Sequence, residues 1–499
     1  MKPMQELSAR FTELMRLNYI DNLLEWDQQV CMPHSEGSIK GRSELRAVIG
    51  AIGHEKLSSK KTGKLIKRVE KIQNLDLIDS ALLREAKRKY EKAVKIPTQL
   101  VTDIAKISSL GQQAWEKAKT KSDFGIFKPY LEKMIQLKKE YARRIDMGPT
   151  LYDSLIDIYE PGARSEQISK IFGDLLSSLK KILRKIEGSH NKPDQSILKK
   201  HYDAQKQLKF SEEILKKLNF DFTKGRQDES AHPFTSSVSS NDTRITTRIS
   251  ENYLPACLFG TIHECGHALY EMGFMEKIHD TFLADGSSLG IHESQSRLWE
   301  NLIGRSKEFW NYWYPILQQH FPENLKDYPE SEFYRSINVV KPSLIRVEAD
   351  EITYGLHIIL RFELEKELIN NDLSISELPD VWNEKMEEYL KVVPPDDAQG
   401  VLQDIHWSGG AFGYFPTYTL GNLYASQIYA DALKKNPHLP KDFQKGDFSN
   451  LLNYLRKNVH QYGRIYRPLD LIKKLTGEKL NPIYFIKYLE KKFYPIYGI

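Results

Sequence analysis

Two histidines, His263 and His267, stand four residues apart in the stretch GTIHECGHALYEMG, with Glu264 between them. On a helix, residues i and i+4 share one face, about one turn apart. Both imidazoles can then reach a single ion at about 2.0–2.1 Å, a geometry and donor type that suit Zn²⁺. Glu264 lies next to His263 around the helix, so its carboxylate reaches water held at the ion and not the ion itself. Zinc lowers the pKa of such a water towards about 7. A carboxylate there can take the proton as the water attacks a carbonyl carbon, and later pass it to the leaving amine. The pattern also arises by chance in roughly a few per cent of chains of this length. Its surroundings argue for a site: Ile262, Ala268 and Leu269 can bury the helix, and Gly266 permits a neighbour to come close.

A catalytic zinc needs a third protein ligand and an open position. The residues after His267, ALYEMGFMEKIHD, lack a His-x-x-Gly-x-x-His continuation. The next candidate is Glu293 in IHESQSRLWEN, 26 residues after His267. That separation leaves room for a loop and an antiparallel return helix. Ser294, Arg297, Trp299 and Asn301 fit such a helix with Glu293 facing inward. His292 is the rival ligand.

The elements that must position these residues are mostly helical in period. Leu7, Phe11, Leu14 and Leu17 step by four, three and three, and Ile345, Ala349, Ile352, Leu356 and Ile359 alternate four and three. Long helical patterns also cover roughly 77–95, 126–145, 165–190 and 450–460, with breaks at EPGA (160–163), NKPD (191–194) and VVPPDD (392–397). TRITTRI, Thr243 to Ile249, is β-branched and alternating, the only good strand candidate near the motif. The chain therefore reads as mainly α, with a small strand element just upstream of the motif helix. No low-complexity linker interrupts it. One continuous body over 1–499 is expected, with a helical part to about 230 and a catalytic part over about 231–499; two helical domains meeting near 230 are the alternative.

Composition narrows the function classes. The 499 residues are 40% hydrophobic and 28% charged, ordinary for a globular protein. A net charge of +5 from 72 basic and 67 acidic residues gives no argument for nucleic acid or membrane as a partner. Three widely spaced cysteines, Cys31, Cys257 and Cys265, make no disulfide framework. The opening MKPMQELSARFTELMRL lacks the apolar core of a signal peptide. No run of about 18 apolar residues is present. The expected compartment is the cytoplasm.

The motifs jointly resemble the carboxypeptidase Taq family of metallocarboxypeptidases. DTRIT carries Asp242, Arg244 and Thr246; the His-Glu-x-x-His stands at 263–267; HESQS runs from His292 to Ser296; IRVEAD from Ile345 to Asp350; GVLQDIHW from Gly400 to Trp407. All five occur in the family's order. LLEWDQQVCMP, Leu23 to Pro33, resembles its N-terminal segment, so the likeness covers nearly the whole chain. The resemblance implies a large helical zinc-peptidase body of the neurolysin-like, gluzincin kind, with a deep groove and a small sheet at its wall. It implies a Zn²⁺ site, with Co²⁺ active in some members, and release of single residues from peptide C-termini with broad specificity. A homodimer is often found. It assigns His263, His267 and Glu293 as ligands and Glu264 as the base. Cys265, in the variable slot of the motif, is unusual; helical direction turns it from the metal, and it reads as packing.

The remaining chemistry needs further residues. A tetrahedral oxyanion needs donors fixed where its charge develops. His406 and Tyr418 are the candidates, in the glycine-rich aromatic stretch HWSGGAFGYFPTY, which is a poor long helix. A similarly spaced His and Tyr in related helical zinc peptidases support them, with Tyr414 as runner-up for Tyr418; as ordinary core aromatics they would do nothing chemical. A free terminal carboxylate is best held by the planar fork of an arginine. Arg346, read as starting an apolar helix with Asp350 one turn on, ranks above Arg244 on the strand. Structural ion pairs with Asp350 and Asp242 are the plainer reading of each. The strand could also take the substrate backbone by β-addition. The sequence thus points to a metal-dependent carboxypeptidase acting on peptides with a free C-terminus. The alternatives are a helical zinc endo- or oligopeptidase, or a metal-stabilised binding protein without catalysis.

Overall fold

A computed structural model of the chain describes residues 2–370 and 372–499. The periodic segments form the helices expected of them: Leu77–Lys95, Phe124–Ile145, Ser165–Glu187 and Ser449–Asn458. Ser165–Glu187 shows the cause plainly. Its residues at three- and four-residue steps, Ile168, Phe172, Leu175, Leu179, Ile182 and Ile186, are all buried. The first helix, Lys2–Val30, buries Leu7, Phe11 and Leu14 and continues the same face through Tyr19 to Trp26. Buried apolar side chains from Met4 to Tyr497 make one contiguous cluster, so N-terminal and C-terminal helices share it. Among the described residues, no helix is long and apolar enough to cross a membrane.

The apolar period at 345–359 overstates the helix. Residues Arg346–Glu348 form a single 3₁₀ turn, and the α-helix runs only over Thr353–Asn370. Asp350 causes the late start. Its side chain accepts from the backbone N–H groups of Ile352 (2.9 Å) and Thr353 (3.0 Å), and its carbonyl accepts from Tyr354 N–H (2.8 Å). This is an N-cap, and hydrophobic spacing carries no record of one.

The sheet is larger than the one expected strand. β1 (Gly225–Glu229), β2 (Thr235–Ser239) and β3 (Asp242–Thr247) lie in the order β1-β3-β2, with β1 parallel and β2 antiparallel to β3. The sequences GRQDE and TSSVS lack the β-branched alternation that marks β3, so neither reads as a strand. Gly225 permits the parallel pairing, since a Cβ there would lie 2.3 Å from Thr243 O. The strands alternate between two covers. On one face Thr247 Oγ1 accepts a hydrogen bond from Thr261 of the helix Leu254–Glu271 (2.9 Å). On the other, Arg244 and Arg226 lie over the ring of Trp26, at 4.3 and 5.1 Å. The sheet is thus held between the first helix and the motif helix. β2 forms the edge beside a groove of about 610 Å³, lined by Asn18, Tyr19 and Asn22 of the first helix and by Thr235, Ser237 and Glu271.

Candidate metal and active site

The motif helix Leu254–Glu271 buries Ile262, Cys265, Ala268 and Leu269 in the core. Cys265 is packing, as its direction implied. His263, Glu264 and His267 then fall on the face towards Leu289–Arg297, the helix that carries Glu293. Ser288 caps this second helix by accepting from Ile291 N–H (3.0 Å). The two helices meet at backbone distance. A Cβ at Gly266 would lie 2.6 Å from Gln295 O and 2.7 Å from Ser296 Cα.

This approach brings three ligand atoms together. Glu293 Oε2 lies 3.7 Å from His263 Nε2 and 3.5 Å from His267 Nε2. Tetrahedral bonds of 2.0–2.1 Å would set such atoms about 3.4 Å apart. The spacing and the two-nitrogen, one-oxygen donor set therefore fit a divalent ion of the zinc class with a position left open. His292, the rival ligand, is outside the cluster. Its Nε2 bonds Glu271 Oε1 (2.9 Å), and its ring stacks on His267 at 4.4 Å.

Burial and neighbouring charges shift the three donors differently: burial lowers His263, but Glu293, Glu300 and Glu264 outweigh it and raise it. Burial pushes the Glu293 carboxyl up, but Arg297 (Nε to Oε1, 2.7 Å) and the two imidazoles outweigh it and hold it well below the usual range. Burial, with His292 alongside, lowers His267 to about 4, so its ring is neutral with a lone pair to give. His263 Nδ1 is 2.9 Å from Glu300 Oε2; with the proton on Nδ1, Nε2 is left facing the cluster. Glu300 is pushed up by burial, yet falls to about 2 through that hydrogen bond and the charges of Arg297 and Arg305. Glu264 stays out of the ligand set. Its Oε2 accepts from Thr235 Oγ1 on β2 (2.7 Å), and burial raises its pKa.

Aromatic residues and an arginine form the next wall. The loop through residues 406–415 is irregular, as expected, but a helix begins at Pro416 and puts Tyr418 in its first turn. His406 lies 5.5 Å from Tyr414 and 6.5 Å from Tyr418, ring to ring, and burial lowers it to about 4. The Arg346 guanidinium is 5.3 Å from the Tyr418 ring. One turn beyond Tyr418, a Cβ on Gly421 would lie 2.7 Å from Glu293 Cγ, so this helix also rests on the ligand cluster.

Comparison with known proteins decides the family. The family model for carboxypeptidase Taq (M32) metallopeptidases matches residues 6–493. The chain belongs to the M32 carboxypeptidases. It is 40% identical over 480 residues to Carboxypeptidase 1 of Bacillus subtilis (strain 168), covering 95% of both chains. It is also 40% identical over 488 residues to Thermostable carboxypeptidase 1 of Thermus thermophilus, with 95% of each covered. The crystal structure of an M32 carboxypeptidase from Deinococcus radiodurans R1 matches with TM-score 0.97 at 36% identity, over 100% of both chains. The protein is accordingly a metallocarboxypeptidase, mainly α with a small sheet.

In this M32 carboxypeptidase the two candidate arginines sit differently from expectation. Arg346 does not start the long helix and does not pair with Asp350, which is occupied as the cap. It bonds Asp404 through Nε (3.0 Å) and Nη2 (2.8 Å), and its Nη1 reaches Tyr354 OH (3.1 Å). Arg244 takes the plainer reading: it pairs with Asp242 (3.0 and 2.8 Å) and stacks on Trp26. That is the sheet face away from the motif helix, so Arg244 is not brought to the cluster. Sequence reasoning missed Glu300, Thr235, Asp404 and Arg361. Glu300 follows Glu293 by seven residues, a two-turn spacing that could have flagged it, and Asp404 stands inside GVLQDIHW; Thr235 carries no local signal.

Glu300→Gln should weaken metal binding by about 10- to 100-fold through loss of the carboxylate behind His263. Competition against a fluorescent chelator reads this. Unchanged affinity would mean that His263 needs no such support.

Proposed function

We propose that this carboxypeptidase releases single residues from peptide C-termini, with Glu264 as general base and then general acid. The carrying observation is the cluster of His263, His267 and Glu293 with Glu264 beside it, tied to Thr235 and outside the ligand set. The donor set and spacing favour Zn²⁺, and Co²⁺ fits the same donors. When bound, the ion polarises the scissile carbonyl and lowers the pKa of water.

The chain's own residues do the rest. With Oε2 held by Thr235, Glu264 keeps Oε1 to take the proton of the attacking water and deliver it to the leaving amine. Tyr418 and His406 donate to the oxyanion, and the neutrality of buried His406 suits a donor that must not be spent on a salt bridge. Arg346 binds the terminal carboxylate: it is buried in an aromatic cage and one of its nitrogens meets only a tyrosine hydroxyl. The substrate backbone adds to β2, not β3, because β3 is the central strand. Thr246 N–H donates to Phe234 O, so by alternation the backbone groups of Thr235 face the groove. Breadth in the residue removed follows from the family resemblance.

The shared apolar cluster supports one body over 1–499, with its helical part ending near 230. A homodimer is supported by the helix Glu36–Ser58. It buries no residue, and its Leu45, Val48 and Ile52 are 56%, 58% and 49% exposed, a stripe suited to a second copy. The cysteines Cys31, Cys257 and Cys265 are all free, in keeping with the cytoplasm.

Mass spectrometry of a mixed peptide set incubated with enzyme and Zn²⁺ or Co²⁺ should show ladders of single C-terminal losses. Internal fragments would refute the reading. Glu264→Gln should keep its metal and lose about 10²–10⁴ in kcat, and wild-type turnover in that variant would remove Glu264 from the mechanism. Wild type should reject C-terminally amidated peptides. Arg346→Ala should narrow the gap between free-acid and amidated substrates by about 10- to 100-fold, the equivalent of 1.5–3 kcal/mol for a charge-assisted bond. A wild type that cleaves both equally would rule out the clamp.

A further inference from the structure

The buried charge around Arg346 does not balance locally. Asp404 is bonded by two guanidiniums. Arg346 takes Oδ1, and Arg361 takes Oδ2 through Nε at 2.7 Å. Arg361 is fully buried. Its Nη2 lies 2.7 Å from the same Asp404 oxygen and also donates to Gln403 Oε1, and its Nη1 donates to the His357 carbonyl, both at 2.7 Å. Gln403 Oε1 also accepts from the backbone of Arg346 (2.9 Å), which locks the pair in place. His406 lies 3.9 Å from Asp404 and is kept neutral by burial. The other carboxylate close by is Glu365, one turn along the helix of Arg361. It is committed to Tyr152 OH, Trp407 Nε1 and Gly413 N–H, each at 2.8 Å, and bonds neither arginine.

Two cations thus share the one carboxylate that bonds them, in a low-dielectric interior where an uncompensated charge is costly, while burial pushes Glu365 up to about 7. Were Asp404 free to turn wholly to Arg346, the pair would be neutral and would offer a substrate carboxylate little. We propose that Arg361 is a positioning residue for exopeptidase specificity: by holding one oxygen of Asp404, it leaves Arg346 with a net positive charge that the terminal carboxylate of the peptide completes. This rests on the reading of Arg346 as the carboxylate clamp. Arg361 does not touch the substrate; it acts through Asp404.

The test separates charge from shape in the metal-loaded enzyme. Arg361→Gln keeps an N–H for Asp404 and removes the charge, whereas Arg361→Lys keeps the charge and removes the fork. The probes are L-phenylalanine and L-phenylalaninamide as inhibitors, with KM and kcat on free-acid and amidated peptides and the metal content alongside. Arg361→Gln should raise KM and the inhibition constant for the free acids by about tenfold, leaving the amide values and metal content unchanged. Arg361→Lys should stay within about threefold of wild type. Equal losses in both variants, or falls in kcat and metal content, would show a merely structural arginine and overturn the proposal. If Arg361→Gln does not fold, Arg361→Lys decides: a lysine variant that no longer prefers phenylalanine to its amide overturns it. A wild type without that preference would instead refute the clamp itself, a different failure read in the same assay.

Discussion

The contact on which the rest depends is the backbone-to-backbone meeting of two helices at Gly266. Any side chain there would have to occupy the space of Gln295 O and Ser296 Cα, which belong to main chain and cannot swing aside. Without that approach Glu293 would stand off from His263 and His267, and three ligand atoms would not fall within one coordination sphere. Gly421 repeats the device on the other side, where the helix Pro416–Lys435 closes on the stem of Glu293. Glu293, the candidate third ligand, is therefore gripped between two glycine contacts. A carboxylate held this way loses little entropy when it binds an ion, and its position is set by packed main chain and not by its own long side chain.

Charge order then does what packing cannot. Moving outward from the ligand cluster, Glu293 and His263 are backed by Arg297 and Glu300, and Glu300 in turn by Arg305. Each buried charge has an opposite neighbour, which is the condition under which buried ions are tolerable. The sequence of signs favours a proton on His263 Nδ1 towards Glu300 and keeps Glu293 ionised. His267 is treated differently: it has a stacked imidazole in place of a carboxylate, and burial leaves it neutral. Two candidate ligands of the same residue type thus stand in two different environments. The second guanidinium on Asp404 stands out against this background, in which Glu293 and Glu300 each meet an arginine.

What could be read from the sequence follows from what is local in it. The His263–His267 spacing is a property of one helical turn, and Glu293 sits on the next helix of the chain, so both were legible. The long helices were legible because their apolar faces repeat over several turns. Arg346 misled because the period of Ile345, Ala349 and Ile352 carries on through a cap and a 3₁₀ turn; spacing records side-chain character, whereas Asp350 acts on backbone N–H groups. β1 and β2 were invisible because their residues are mostly polar and none is buried, and their existence comes from pairing with β3. Asp404 and Arg361 were missed for the reason that makes them interesting. Their partners lie about 40 to 60 positions away, and the meaning of each charge depends on how many others share it.

Tyr354 shows how the proposed clamp and the ligand cluster are kept in register. Its ring faces the Arg297 guanidinium at 4.9 Å, and its hydroxyl accepts from Arg346 Nη1 at 3.1 Å. Arg297 is bonded to Glu293, so one rigid aromatic ring spans from the His263–His267–Glu293 cluster to Arg346. An enzyme that removes one residue at a time has to fix the distance between the bond it breaks and the charge it recognises. A chain of flexible side chains would let that distance vary, and the carboxylate would then pay out its binding energy without aligning the carbonyl. Tyr354 has two side-chain torsions and is nearly buried, so it acts as a spacer of set length. On the proposed reading, exopeptidase action resides less in Arg346 alone than in the fixed interval between Arg346 and Glu293 that Tyr354 maintains.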